Sequence, residues 1–195
     1  NRSGESGYVV YVQGDGSLAF NLNRGPGGGY WAGVSIPAEG YASLVGQWFH
    51  LACVYDATEG LGFGSAKIYT NGVLCATTDI PDAPPLVNSG GPMTLGDRNY
   101  VGRLDEVAVY GAALGASKVL SHYRAGTSGA GAYRATVLAD QPLGYWRLGE
   151  TGGVASPPSL AANQGALGAT ADGSFGAGST LQVAGALGGS DKGVQ

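Results

Sequence analysis

Charge is scarce in this sequence. Asp, Glu, Lys and Arg make up 12% of the 195 residues, about half the usual share. The net charge of −4 offers no basic footprint for nucleic acid. No apolar run approaches the ~20 residues that a membrane helix needs, so insertion by a helix is not expected. His50 and His122 are far apart and share no metal spacing, so they read as core or boundary residues. There is no Gly-x-Ser-x-Gly elbow, phosphate loop, Cys-x-x-Cys or His-Glu-x-x-His, each of which would carry a recognisable chemistry. The first residue is Asn1, with no signal peptide before it, as expected of an interior or processed piece.

Glycine, at 37 residues, is far above average, and there are 11 Tyr beside many Val and Thr. With 44% apolar residues this predicts many short strands joined by tight turns around a real core. The stretch Gln47–Thr78 organises the chain. It holds an apolar run, Trp48–Tyr55, and two β-branched runs flanking Asn71-Gly72. Asn-Gly is the strongest short hairpin signal, because both central residues of a type I′ turn take φ > 0. A two-residue turn sets Thr70 against Val73 and Tyr69 against Leu74. The nearly unbroken apolar run predicts a strand covered on both faces. The centre is then three consecutive antiparallel strands.

That pairing bears on the cysteines, Cys53 and Cys75. With one strand between them they stand roughly 9–10 Å apart at ~4.8 Å per strand. A disulfide needs Cα atoms within about 7 Å. Two free, buried thiols are expected.

Earlier strands are predicted at Tyr8–Val12, Ser17–Leu22 and Tyr30–Ile36, and Pro37 to Gly46 reads as a loop. Later strands are predicted at Met93–Gly96 and Val101–Tyr110. One convincing helix follows at Leu114–Arg124, with Gly126 as its stop. The small residues Ala125–Ala132 suggest a boundary. Tyr133–Asp140 reads as a helical turn, Leu143–Leu148 as a strand, and the Gly/Ala/Ser-rich remainder as weak strands near Leu167, Phe175 and Leu181–Val183.

Two stretches carry a family resemblance. The first runs Gln47-Trp48-Phe49-His50-Leu51-Ala52-Cys53-Val54-Tyr55-Asp56, then Ile68–Leu74, Gly102-Arg103-Leu104-Asp105-Glu106-Val107-Ala108-Val109-Tyr110 and a helix ending His122-Tyr123-Arg124-Ala125-Gly126. It resembles the second half of a laminin G-like jelly roll, in the concanavalin A-like sandwich group that includes pentraxins. Gly115 and Lys118 stand where members carry a capping box. The second stretch, Val137-Leu138-Ala139-Asp140-Gln141-Pro142-Leu143-Gly144-Tyr145-Trp146-Arg147-Leu148-Gly149-Glu150, resembles the opening of such a domain. The resemblance implies an all-β antiparallel jelly-roll sandwich with one short helix. Its halves are permuted: residues 1–126 a second half, 127–132 a linker, 133–195 a first part.

A half sandwich leaves edges and apolar faces to be covered. The tail can fold back on 1–126, complete the next molecule in a head-to-tail fibre, or belong to a tandem array cut between repeats. The resemblance implies a secreted or cell-surface interaction module rather than an enzyme. Two roles stay open. One is a structural, self-associating protein. The other is a carbohydrate-binding or adhesion module.

Candidate chemistry is thin. Asp105 and Glu106 are adjacent, so on a strand they point to opposite faces. They could not then flank one glycosidic bond, which needs carboxyls ~5–10 Å apart across one sugar. A structural Asp bonding a loop and an exposed Glu fit that alternation. The glycosidases of this sandwich group carry a Glu-x-Asp-x-Glu run, and this sequence has none. In pentraxins the loop after a comparable strand supplies oxygen ligands to Ca²⁺. By that resemblance Asp97 and Asn99, with Asp105, are candidate calcium ligands, and oxygen donors suit the ion. Arg98 in the same loop, and Tyr30 with Trp31 at a loop edge, are the candidate glycan-binding residues. Tyr41, Trp48 and Trp146 read as core.

Overall fold

The protein was analysed as a computed structural model that describes residues 7–23, 31–59, 64–80, 91–96, 100–151 and 160–195, with Trp31 described by its backbone alone. Two compact units divide the chain. Unit 1 comprises Asn1–Met93 with Ala113–Leu120, and unit 2 comprises Thr94–Ala112 with Ser121–Gln195.

Unit 1 holds two three-stranded antiparallel sheets. One orders β1 (Gly7–Val12), β2 (Leu18–Asn23) and β3 (Trp31–Ile36) in sequence. The other orders β4 (Leu51–Asp56), β5 (Ser65–Thr70) and β6 (Val73–Asp79) in the same way. Alternation places Leu18, Phe20, Leu22, Val34 and Ile36 of the first sheet in one core with Ala66 and Ile68 of the second. The short helix α1 (Ala38–Ala42) stands where a loop was expected, and its Tyr41 packs against this core.

The expected Asn71-Gly72 turn forms with φ of 51° and 78°, and Thr70 lies opposite Val73 and Tyr69 opposite Leu74. The Asn71 side chain accepts a hydrogen bond from the His50 backbone N–H at 3.0 Å, tying the turn to the start of β4. Strand β4 is covered on both faces. Leu51, Cys53 and Tyr55 pack on the shared core. Ala52 and Val54 pack with Tyr69, Leu114 and Val119 on the other side.

Both cysteines are free, but Cys53 is only partly buried and Cys75 is exposed. The exposure of Cys75 comes from a bulge. Pairing passes from Tyr69↔Leu74 to Ile68↔Ala76, leaving Cys75 as the extra residue of an edge strand.

Unit 2 is built from shorter pieces. The run expected to form one strand over Val101–Tyr110 yields only β7 (Val107–Val109), preceded by an isolated bridge at Leu104. The break comes at Glu106, whose φ is 53°. Met93–Gly96 forms no strand. Helix α2 (Ala116–Thr127) supplies its start to unit 1, and α3 (Ala130–Ala139) belongs to unit 2. The stretch read as a linker, 127–132, is therefore the end of α2, a brief turn and the start of α3. The turn comes at Gly129, φ 107°. Gly126 serves packing instead, since a Cβ there would stand 3.3 Å from both Tyr133 and Leu187.

Then come β8 (Gly144–Trp146), β9 (Leu160–Ala161), a 3-10 turn at Gly168–Ala171 near the strand expected at Leu167, β10 (Gly173–Ser174), β11 (Leu181–Ala184) and β12 (Lys192–Val194). β8 pairs antiparallel with β7, β9 with β10 and β11 with β12. Leu104 and Val194 exchange backbone bonds of 2.8 and 3.0 Å. Strands of the tail thus pair with residues 104–109 of the same chain. One core gathers Leu148, Ala161, Phe175, Leu181 and Val194. A second gathers Tyr133, Val137 and Tyr145.

Burial pushes the Cys53 thiol up to about 12, so it holds its proton at neutral pH, and the thiolate is the nucleophile. With a thiol reagent at pH 8, one group per chain should react quickly and the other only after denaturation. Cys75→Ser should remove the fast phase and leave the slow one.

Candidate functional site

The densest set of ionisable groups among the described residues lies in unit 2. Asp105, Glu106 and Asp191 bring carboxylate oxygens within 4.8 Å of one another. Strand alternation would have kept Asp105 and Glu106 apart. The left-handed backbone at Glu106 breaks that alternation and turns both carboxyls into one cluster. Glu106 is 7% exposed, so the exposed Glu expected from the sequence is instead buried.

Glu106 Oε1 accepts hydrogen bonds from Arg147 Nε at 2.9 Å and Nη2 at 2.6 Å. Its Oε2 accepts from the Tyr145 hydroxyl. This bidentate fork suits a buried carboxylate. Asp191 Oδ1 lies 3.4 Å from Arg147 Nη2, and its Oδ2 accepts the Leu187 N–H at 3.0 Å. Asp105 Oδ2 accepts the Ala186 N–H at 2.7 Å, which is the loop contact expected of it. Its Oδ1 is buried and accepts no hydrogen bond. Gly185 permits this approach: a Cβ there would sit 2.4 Å from Asp191 Oδ2 and 2.7 Å from Asp105 Oδ2.

Two of the three carboxyls, Glu106 and Asp191, thus meet one guanidinium, and Asp105 stands beside them. Burial, and then the neighbouring Asp191 carboxyl, push Asp105 up to about 8, so it holds a proton at neutral pH. The same burial, with Glu106 alongside, raises the Tyr145 hydroxyl. This constellation clasps segments distant in sequence. It does not suit calcium, because Arg147 and Tyr145 occupy both Glu106 oxygens and the ion asks for six to eight. Nor does it present an acid and base to a sugar, since Glu106 and Asp191 are both buried.

A family model described as the concanavalin A-like lectin/glucanases superfamily, laminin G type, matches residues 1–120. The chain belongs to this superfamily. No curated protein and no solved structure matches it. The all-β antiparallel fold expected of a laminin G-like chain is the fold observed, with α1 in addition to the one helix expected and with the helical turn expected at Tyr133–Asp140 lengthened into α3.

Of the site residues expected in this laminin G-like chain, Tyr30, Asp97, Arg98 and Asn99 lie outside the described residues, as does the Trp31 side chain. Asp105 is described, and its carboxyl points into the Arg147 cluster. Tyr41 stacks edge-on against Phe49 at 6.4 Å, and the Trp146 indole donates to the Ala171 carbonyl at 3.0 Å. His122 is 3% exposed and sits 2.8 Å from Asp140 Oδ2, between the rings of Tyr110 and Tyr133. That is a core histidine tying α2 to α3. Arg147, Tyr145 and Asp191 were missed as partners of Glu106. Arg147 and Tyr145 stand inside the recognisable 137–150 stretch, whereas Asp191 carries no local signal in a Gly-rich tail.

The proton on Asp105 predicts an unusual pH profile. Its folded value lies above the unfolded 3.8, so its contribution to stability is complete below about pH 4 and is lost as pH rises towards about 8. Denaturant unfolding should show the wild type less stable at pH 8.5 than at pH 5.5. Asp105→Asn, which mimics the protonated acid, should flatten that decline. An equal slope in both proteins would refute the assignment.

Proposed function

We propose that this chain is a non-catalytic, extracellular interaction module whose main partner is another copy of itself. The observation that carries the reading is the apolar surface left bare on unit 1. Tyr8, Val10 and Val12 of β1 are 49%, 39% and 47% exposed, although they share the face of β2 that builds the core. Such a patch marks an interaction surface. The closed carboxylate cluster agrees with a non-catalytic role. Among the described residues no helix is long and apolar enough to cross a membrane. Static light scattering over a concentration series should give a mass above 19.5 kDa that rises with concentration. A single-chain mass throughout would remove the proposal.

The superfamily's description as lectins and glucanases favours a second reading, a glycan-binding or adhesion module using Tyr30, Trp31 and Arg98, with calcium at Asp97 and Asn99, while Asp105 stays in the Arg147 cluster. Under it, a glycan array should light up and darken with Trp31→Ala, and calcium should raise the melting temperature. An array blank for the wild type would end this reading.

A further inference from the structure

Asn71 is joined to His50 twice. Its backbone N–H donates to the His50 carbonyl at 2.8 Å, and its side-chain oxygen accepts the His50 N–H at 3.0 Å. The regular ladder between β4 and β5 ends one pair earlier, at Leu51↔Thr70. The Asn71 side chain therefore stands in for a backbone carbonyl and adds one more rung. Asn71 and Gly72 are both half-buried, so water reaches the turn.

The same dipeptide carries a chemistry of its own. The Gly72 backbone nitrogen can attack Asn71 Cγ, because glycine has no Cβ to obstruct the approach. A five-membered succinimide forms. The new bond is N–Cγ, the bond that breaks is Cγ–Nδ2, and the side-chain amide leaves as ammonia with the proton that Gly72 gives up. Water then opens the ring at one of its two carbonyls. One opening leaves an ordinary Asp. The other leaves an isoaspartyl residue, whose main chain runs through Cβ and Cγ.

Closing that ring sets a condition on the backbone. The Gly72 nitrogen must come nearly eclipsed with Asn71 Cβ about the Cα–C bond. Asn71 is left-handed, with φ 51°. The ψ of that region, about +47°, turns the nitrogen to the side away from Cβ. Attack then needs roughly half a turn about this bond. No such rotation fits while Thr70 stays opposite Val73 and both His50 bonds hold Asn71.

We propose that Asn71 is a latent deamidation site, kept as asparagine by the closed hairpin and converted when the β5–β6 turn opens. This goes beyond the interaction reading and does not depend on it. The reaction needs water and no other reagent. Its two products differ in effect. The Asp form keeps an oxygen for the His50 N–H and can rebuild the rung. The isoaspartyl form has a longer main chain, which spoils the two-residue turn and the register that the turn sets. Conversion is thus a one-way record of hairpin opening.

The whole chain, incubated at mildly alkaline pH, digested and read by peptide mass spectrometry, tests this. Conversion at Asn71 in the native chain should be at least about tenfold slower than in the same chain held in urea, because it proceeds only through the open hairpin. His50→Pro removes the N–H that holds the side chain and should speed conversion of the native chain severalfold. His50→Ala keeps that N–H and should leave the rate unchanged. Circular dichroism checks that each variant folds, and the wild-type comparison stands without them. Asn71→Asp should unfold at nearly the wild-type urea midpoint, whereas the isoaspartyl fraction, separated by chromatography, should unfold at a lower one. An Asn71 that stays intact in urea overturns the site. Equal rates in the native and urea-held chains overturn its protection by the fold. A His50→Pro chain that folds and converts no faster than His50→Ala overturns the His50 bond as the latch.

Discussion

A buried carboxylate with one cation to answer it sets the arrangement of unit 2. Taking Glu106 out of water costs several kcal/mol unless it is paired and hydrogen-bonded. Arg147 and Tyr145 do both. To reach them, Glu106 adopts a left-handed backbone, and that conformation splits the run around it. Before it, Leu104 bonds to Val194; after it, Val107–Val109 pair with Gly144–Trp146. One residue thus hands the chain from one partner strand to another. The Asp105 and Asp191 carboxyls sit against this pair because both answer to backbone N–H groups of one short turn, at Ala186 and Leu187.

Unit 1 meets the opposite problem. Its sheets are regular and its core is apolar, so its difficulty lies at the margins. The two ends of its strand order show two solutions. β6 spoils its own edge with a bulge, at the cost of exposing Val73, Leu74 and Cys75. β1 keeps a straight, uncharged edge without a bulge.

Much of unit 1 was legible because its signals are local. Asn71-Gly72 fixes a turn by the φ angles it tolerates, and the turn fixes the register for the pairs beside it. The unbroken apolar run of β4 announced cover on both faces, which Val54 and Cys53 now show. The misreadings share a cause. Alternation was applied through Asp105-Glu106, but alternation assumes an unbroken strand, and a single positive φ defeats it. The bulge at Cys75 is the same kind of local exception. The Ala/Gly composition around Ala130 suggested a flexible joint, whereas those small residues begin a helix and Gly126 admits the Tyr133 ring. Asp191 was invisible because its partners are long-range: Arg147 lies 44 residues away.

The Leu104–Val194 pairing also has a consequence for biosynthesis. Unit 1 is mostly local hairpins and can form as its residues emerge. Unit 2 cannot close its ladder until Val194 exists, 90 residues after Leu104. At translation speeds of about 5–20 residues per second, that leaves the backbone of Leu104 waiting on the order of 5–20 s beside the ribosome. Nascent neighbours on one messenger therefore have time to trade strands, and crowded polysomes are where this chain is most exposed to mispairing.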